Sequence, residues 1–423
     1  MIGKSLVKRV LQFRKTNLWI APVLGAIIAI LVAAGSLYMD SRIDWGEPPL
    51  PFFRGEPDTA RTALSVIASS VTTLLALIFT VIVVAIQLAS SQYSPRTLSS
   101  LLQDRPSHFT IGVFVGTFTY TLVILLALRK TQIEDGTISG ISISLAFLFA
   151  IISLGTFAVY SNHIIQAVRI TSLINRVGTQ VRQAVNDIYK KPFKSESKLE
   201  HPKAEPDQII FSSQPGALIE IDNEKIFDLA QKENCAIYFL PQTGSFLPEG
   251  YPIAKVYGSK NFDLGEHIVL SGTRTLQNNI MYGLRQLSDM AVRANSTGIN
   301  DPATAVQVLD QIHDILRRLV VKDMRPLVMK DKDNNIRLYA PMPSWDDVLR
   351  VGLDEVQYYG ATSLQVVRRM RTILFDLLTI APQERKGSLK KQLKLLDKTI
   401  TENFSNNHYK ELARSPDIKG TGF

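Results

Sequence analysis

Four long apolar runs dominate the first 160 residues, at about 18–39, 62–89, 109–128 and 138–160. Roughly 20 consecutive apolar residues carry a helix across the hydrocarbon layer, so each run predicts a transmembrane helix. The second is the longest and must tilt or continue beyond the membrane. No Asp, Glu, Lys, Arg or His interrupts any of the four. Behind them the pattern changes. Ile164, Ile165, Val168, Leu173, Ile174 and Val177 continue at helical spacing, which predicts a helix leaving the fourth span. Residues 191–208 are rich in Lys, Ser, Glu and Pro, have no apolar period, and read as a linker.

From 209 to 271 the apolar runs shorten to strand length and are bounded by Gly, Pro, Asn and Asp. The turn-rich phrase from Gln242 to Ile253 resembles that of small lipoyl-like barrels, without the lysine that carries their cofactor. A small barrel-like β part is therefore expected, with no cofactor. After Gly272 the period becomes helical: Ile280, Leu284, Leu287 and Ala291 make one stripe. Asp301 before Pro302 predicts a capped helix start, and Ser344 with Asp347 predicts a capping box. A basic amphipathic helix is expected over 388–404. The expected architecture is a membrane α-helical unit (1–160), an exit helix and linker (161–208), and a cytoplasmic α+β region. That region divides into a small β domain (209–271), a helical domain (272–404) and a flexible tail (405–423).

Charge sets the expected topology. The chain of 423 residues carries a net charge of +9. Five cations (Lys4, Lys8, Arg9, Arg14 and Lys15) precede the first run, and Arg169, Arg176, Arg182, Lys190 and Lys191 follow the fourth. The positive-inside rule then places both termini in the cytoplasm. Arg96 and Arg105, in the loop after the second run, are candidate anchors at the membrane surface. The basic excess flanks apolar runs, so the bilayer is the expected partner and nucleic acid is not. A single cysteine, Cys235, excludes an intrachain disulfide.

Within the spans, hydroxyl and amide groups replace charge. Ser69, Thr73, Thr80 and Gln87 recur on one face of the second run and are the candidate pore-lining residues. Thr110, Thr117 and Thr121 mark the third, with Gly112 and Gly116 as a G-x-x-x-G pair. Small and hydroxylated residues suit close helix packing in lipid and equally suit a hydrated path. In the soluble part, Arg274, Arg285, Asp289, Arg293, Asn300 and Asp301 are the candidate ligand or interface residues. Arginine forks bind carboxylate or phosphate, and the same residues also serve as caps and i,i+4 ion ladders.

Three phrases carry a family resemblance. They are Gln87 to Arg96 (QLASSQYSPR), Gly272-Thr273-Arg274-Thr275, and Asn295 to Ala305 (NSTGINDPATA). The chain resembles the DUF2254 family of predicted bacterial membrane proteins over nearly its whole length. The resemblance implies a bacterial inner-membrane setting and supplies no reaction. The family pattern carries Leu-Ser-Pro-Gly ahead of Ile-Asn-Asp-Pro, where this chain has Asn295-Ser296-Thr297-Gly298.

Catalysis is not expected. The six histidines are scattered without metal-ligand spacing, and no P-loop, dinucleotide fingerprint or G-x-S-x-G elbow occurs. Two function classes fit: a homo-oligomeric channel or passive transport protein for ions or small solutes, or a membrane-anchored scaffold or sensor. The hydroxyl face of the second span favours the first.

Overall fold

The computed structural model describes residues 20–42, 53–55, 57–92, 105–128, 138–194, 202, 204–272 and 279–417. They form two compact units, Met1–Arg169 and Ile170–Phe423.

In the first unit the four apolar runs are helices: α1 (Ile20–Asp40), α2 (Pro57–Gln92), α3 (Arg105–Leu128) and α4 (Ile141–Val168). All four are long and apolar enough to cross a membrane. α3 touches the other three and is the most buried of them, which makes it the central helix. Lipid provides no hydrophobic force to press apolar helices together, so close backbone approach has to supply dispersion contacts. The glycines provide it. A Cβ built on Gly25 would lie 2.3 Å from the Gly112 carbonyl oxygen, and one on Gly116 would lie 3.2 Å from that of Gly25. The G-x-x-x-G pair is thus the α1–α3 contact. Phe114, Tyr120, Ile124 and Ile143 fill the interior.

One end of this bundle is fastened by polar groups. The short strands β1 (Phe53–Gly55) and β2 (Ile138–Gly140) pair antiparallel. The Asp40 carboxylate at the end of α1 accepts the backbone N–H of Ile141 at 2.7 Å and of Ser142 at 3.1 Å. It thereby satisfies donors that the first turn of α4 leaves without intrahelical partners. Gly140 leaves room for this carboxylate, which a Cβ there would meet at 2.7 Å. Arg61 donates to the Leu128 carbonyl at 3.1 Å, tying the start of α2 to the end of α3.

The second unit opens with α5 (Ile170–Ile188), separated from α4 by the extended residue Arg169. The β part contains β3 (Gln208–Phe211), β4 (Gly216–Ile221), α6 (Asn223–Lys232), β5 (Ala236–Phe239), β6 (Phe246–Leu247), β7 (Pro252–Tyr257) and β8 (Ile268–Ser271). After α7 (Ile280–Ala294) and α8 (Pro302–Leu319), the chain returns to it with β9 (Leu327–Lys330) and β10 (Ile336–Ala340). The sheets run β3-β7-β5-β10-β9 and β6-β4-β8. Among the described residues only the β5–β10 pair is parallel. The expected barrel is therefore not formed. Both sheets stay open and share one core, to which α6 contributes Ile226 and Ala230 and the strands contribute Leu218, Ile237, Phe239, Val256 and Leu338. Because 327–340 rejoin the sheet, the sequence boundary at 271 does not separate β from helical structure.

The rest is helical: α9 (Trp345–Leu349), a π-helical turn (Arg350–Asp354), α10 (Glu355–Tyr359), α11 (Leu364–Ile380), α12 (Gln383–Asn403) and α13 (Asn407–Arg414). Asp301 caps α8, and Ser344 with Asp347 forms the capping box of α9, as their spacing predicts. α5, α7, α8 and α11 bury their apolar stripes against one another; each fully buried Leu or Ile contributes about 1.5–3 kcal/mol. Arg385, at the start of α12, donates to the Leu319 and Val320 carbonyls at 3.0 and 2.8 Å and lies over the Phe193 ring. It thus closes the C-terminus of α8, where a cation is favoured. The tail expected to be flexible instead carries α13, with Ala413 and Asp417 fully buried.

Gly25→Val should force α1 off α3 and lower stability by about 1–3 kcal/mol. Gly35→Val, at a position where an added Cβ meets open space, should be close to neutral. Thermal unfolding of the solubilised protein distinguishes the two.

Candidate functional site

The hydroxyl residues of the spans fall into two groups. Thr110, Thr117 and Thr121 of α3 are buried, and Ser153 of α4 donates to the Thr117 hydroxyl at 3.0 Å. Tyr120 meets Ser36 at 3.0 Å and donates to the Ser142 carbonyl at 2.9 Å. These groups hold helices together. Ser69, Thr73, Thr80 and Gln87 of α2 do the opposite. All four are exposed, on the face away from Leu64, Ile67, Val71 and Ile78, which are buried in the bundle. Thr73 donates to the Ser69 carbonyl at 2.9 Å and Thr80 to that of Ala76 at 3.0 Å. Each hydroxyl hydrogen is therefore spent on its own helix, and the oxygen lone pairs face outward as acceptors.

In the second unit the candidate residues take mostly local partners. Arg285 of α7 is paired with Glu355 of α10. Asp289 and Arg293, further along α7, are half-buried. Asp301 accepts the Thr304 N–H at 3.1 Å and its hydroxyl at 2.6 Å. Asn300 precedes it with φ of 49°, a left-handed conformation that asparagine tolerates better than most residues. Thr297, Gly298, Ile299 and Asn300 form an exposed loop tip. Arg96 and Arg274 lie outside the described residues, as does the side chain of Arg105.

A charged cluster that the sequence reading did not single out lies between α8 and α11. His313 Nε2 is 2.8 Å from the Asp376 carboxylate, and Arg317 pairs with the same carboxylate. Arg369 reaches His313 Nδ1 at 3.3 Å, and its Nε lies 2.7 Å from Asp310 Oδ1. That last contact is an ion pair whose angle misses a hydrogen bond. Nδ1 facing a guanidinium acts as acceptor, so the ring donates from Nε2 to Asp376. Burial raises the Asp310 carboxyl above its usual range, against the pull of Arg369. Burial also acts to raise Asp376, but hydrogen bonds from Arg317 and His313 outweigh it and hold that carboxyl below its usual value. The signal was present in the spacing: Asp310, His313 and Arg317 stand three and four residues apart, on one face of α8.

Comparison with known proteins gives these features a family. The sequence profile of DUF2254, described as a predicted membrane protein, matches residues 15–376. The chain belongs to the DUF2254 family. Proteins of Mycobacterium bovis and Mycobacterium tuberculosis, both described as uncharacterized, are 24% identical to it over 389 residues. The alignment covers 89% of this chain and 74% of each relative. No solved structure matches it. The DUF2254 match runs through all four spans and α8 and ends within α11 at residue 376, so membrane helices and the charged cluster lie inside one family match.

Asp301→Ala removes the α8 cap and should lower stability by about 1 kcal/mol. For Asp376 the sign follows from a lowered folded-state pKa. Its contribution is complete above the usual value of 3.8 and is lost as pH falls through the lower folded value. Asp376→Asn should therefore cost on the order of 1 kcal/mol at pH 7, and the gap from the parent protein should close below pH 4. Thermal unfolding across pH measures both.

Proposed function

We propose that this DUF2254 protein is a passive permeation protein of the bacterial inner membrane. Several copies pack around an axis, and the Ser69–Thr73–Thr80–Gln87 face of α2 lines the path between them. Both termini lie in the cytoplasm, where the second unit serves assembly or regulation, and no catalysis is involved. The observation behind this reading is the outward direction of that face. Hydroxyls that only fastened helices within one chain would be buried, as those of α3 are. The bundle interior is filled by side chains, so a hydrated route belongs between copies. An acceptor-lined surface suits water, cations or small donor-bearing solutes more than anions.

A membrane-anchored sensor is the second reading, favoured by the exposed 297–300 tip with its left-handed Asn300. Proteoliposome flux separates the two. Thr73→Leu and Thr80→Leu should each change ion or solute flux several-fold while leaving thermal stability within about 0.5 kcal/mol, as for surface positions. Wild-type flux at the level of empty vesicles, or a single copy per particle in native-membrane nanodiscs, defeats the permeation reading.

A further inference from the structure

A cavity of about 300 Å³ lies within the second unit, bounded by the ends of α5 and β4, the starts of α6 and α7, and residues 341–343 after β10. That is the size of a small-molecule site. Its walls are largely apolar, with Ile188, Ile280, Leu327 and Pro343 among them. Besides the exposed Glu220, four polar side chains interrupt this lining: Tyr189, Asn223, Thr243 and Asn279.

A buried polar group ordinarily has a hydrogen-bond partner within the protein. Among the described residues these four do not follow that rule. The Asn223 carboxamide oxygen is shielded from solvent and accepts no hydrogen bond. Tyr189 is 3% exposed, and its hydroxyl has no hydrogen-bond partner. The Thr243 hydroxyl has none either. Asn279 uses its oxygen to cap α7, accepting the Tyr282 N–H at 3.0 Å, which leaves its amide N–H groups unspent. Burial pushes the Tyr189 phenol up, against the pull of Arg385, so it keeps its proton and remains a donor.

These groups are held in place by the fold itself. Gly244 has φ of 93°, and a Cβ there would lie 1.9 Å from Asn279 Nδ2, so glycine is what lets the 242–244 turn reach Asn279. The Gly244 N–H donates to the Leu218 carbonyl at 2.6 Å, and Gln242 Nε2 to that of Met342 at 3.2 Å. Asn223 is fixed as the first residue of α6, directly after its cap Asp222. Polar groups fixed in this way, with bonding capacity unspent, need little ordering to receive a ligand. The lining contains no Lys or Arg, so it offers no counter-charge to an anion.

We propose that this cavity binds an uncharged ring with an amide-like edge, a lactam or a nucleobase. The Asn223 oxygen accepts a ring N–H, while Tyr189, Thr243 and the Asn279 amide donate to ring carbonyls. The apolar walls pack against the ring faces. The site lies wholly in the second unit and stands whether or not the protein permeates solutes.

The full-length protein in phosphatidylcholine nanodiscs is titrated with uracil, and separately with 1,3-dimethyluracil, which keeps the ring but loses both N–H donors. Saturation-transfer NMR reads the binding. Uracil should bind saturably and dimethyluracil roughly five-fold or more weakly, because a buried acceptor is then left without a donor. Tyr189→Phe and Thr243→Val should each weaken uracil binding several-fold. Neither should lower the unfolding temperature of the unliganded protein, since neither breaks an internal hydrogen bond. Thr73→Leu, on α2, should leave uracil affinity unchanged; a changed affinity there places the binding on α2 and overturns the proposal. Absence of saturable uracil binding, equal affinity for the two rings, or parent-like affinity in both second-unit variants also overturns it. So does a lowered unfolding temperature in both, which would show these hydroxyls already spent within the protein.

Discussion

Two apolar helices in lipid gain nothing from leaving it, so whatever joins them must come from contact between the helices themselves. In this protein that constraint is met where α1 crosses α3, at glycines that let one backbone rest on the other. Once these backbones are this close, Tyr120 of α3 can reach Ser36 of α1, while Tyr120 to Ser142 and Ser153 to Thr117 join α3 to α4. Asp40 then arrives at the end of α1 where it meets the free N–H groups of α4. The Tyr120–Ser36 contact between α1 and α3 thus depends on a spacing that side chains larger than hydrogen would not permit.

The same reasoning explains the direction of the α2 hydroxyls. A threonine that bonds to its own helix is already satisfied, and lipid tolerates it at low cost. Such a residue need not face inward, and α2 turns Leu64, Ile67, Val71 and Ile78 into the bundle. Outside, flanked by exposed Val66, Leu77, Phe79, Val83 and Val84, runs a strip of oxygen acceptors about the length of a membrane. The proposed assembly gives that strip a wet surface in place of an oily one.

Much of this was legible in the sequence because it rests on local pattern. Apolar length located the spans, and Asp301-Pro302 and Ser344-x-x-Asp347 marked helix starts to the residue. The features that escaped depend on residues distant in the chain. β9 and β10 flank the polar run 331–335, where Asp331 accepts the N–H groups of Asp333 and Asn335 and turns the chain. The partner of β10, β5, lies about a hundred residues earlier, so local pattern gave no reason to join this hairpin to a sheet. α6 was hidden inside a strand-rich stretch, although Asp222 caps it and Ile226 and Ala230 are spaced as a helix requires. The lipoyl-like phrase suggested closure, but turns and short strands specify hairpins and leave the curvature of the sheet open. The His313 cluster needed α11 beside α8, a juxtaposition that no window of sequence contains.

The π turn between α9 and α10 has one more residue than an α-helical path would need. Each α-helical residue advances the chain by about 100°, so losing one position there would swing Glu355 and everything after it around the axis. Arg285 would lose its acidic partner, and Ser288, whose hydroxyl donates to the Val351 carbonyl at 2.6 Å, would face a carbonyl ladder already occupied by the helix. The number of residues between Trp345 and Tyr359 is thus as tightly held as any side chain in the segment. Length variation within the family should fall elsewhere.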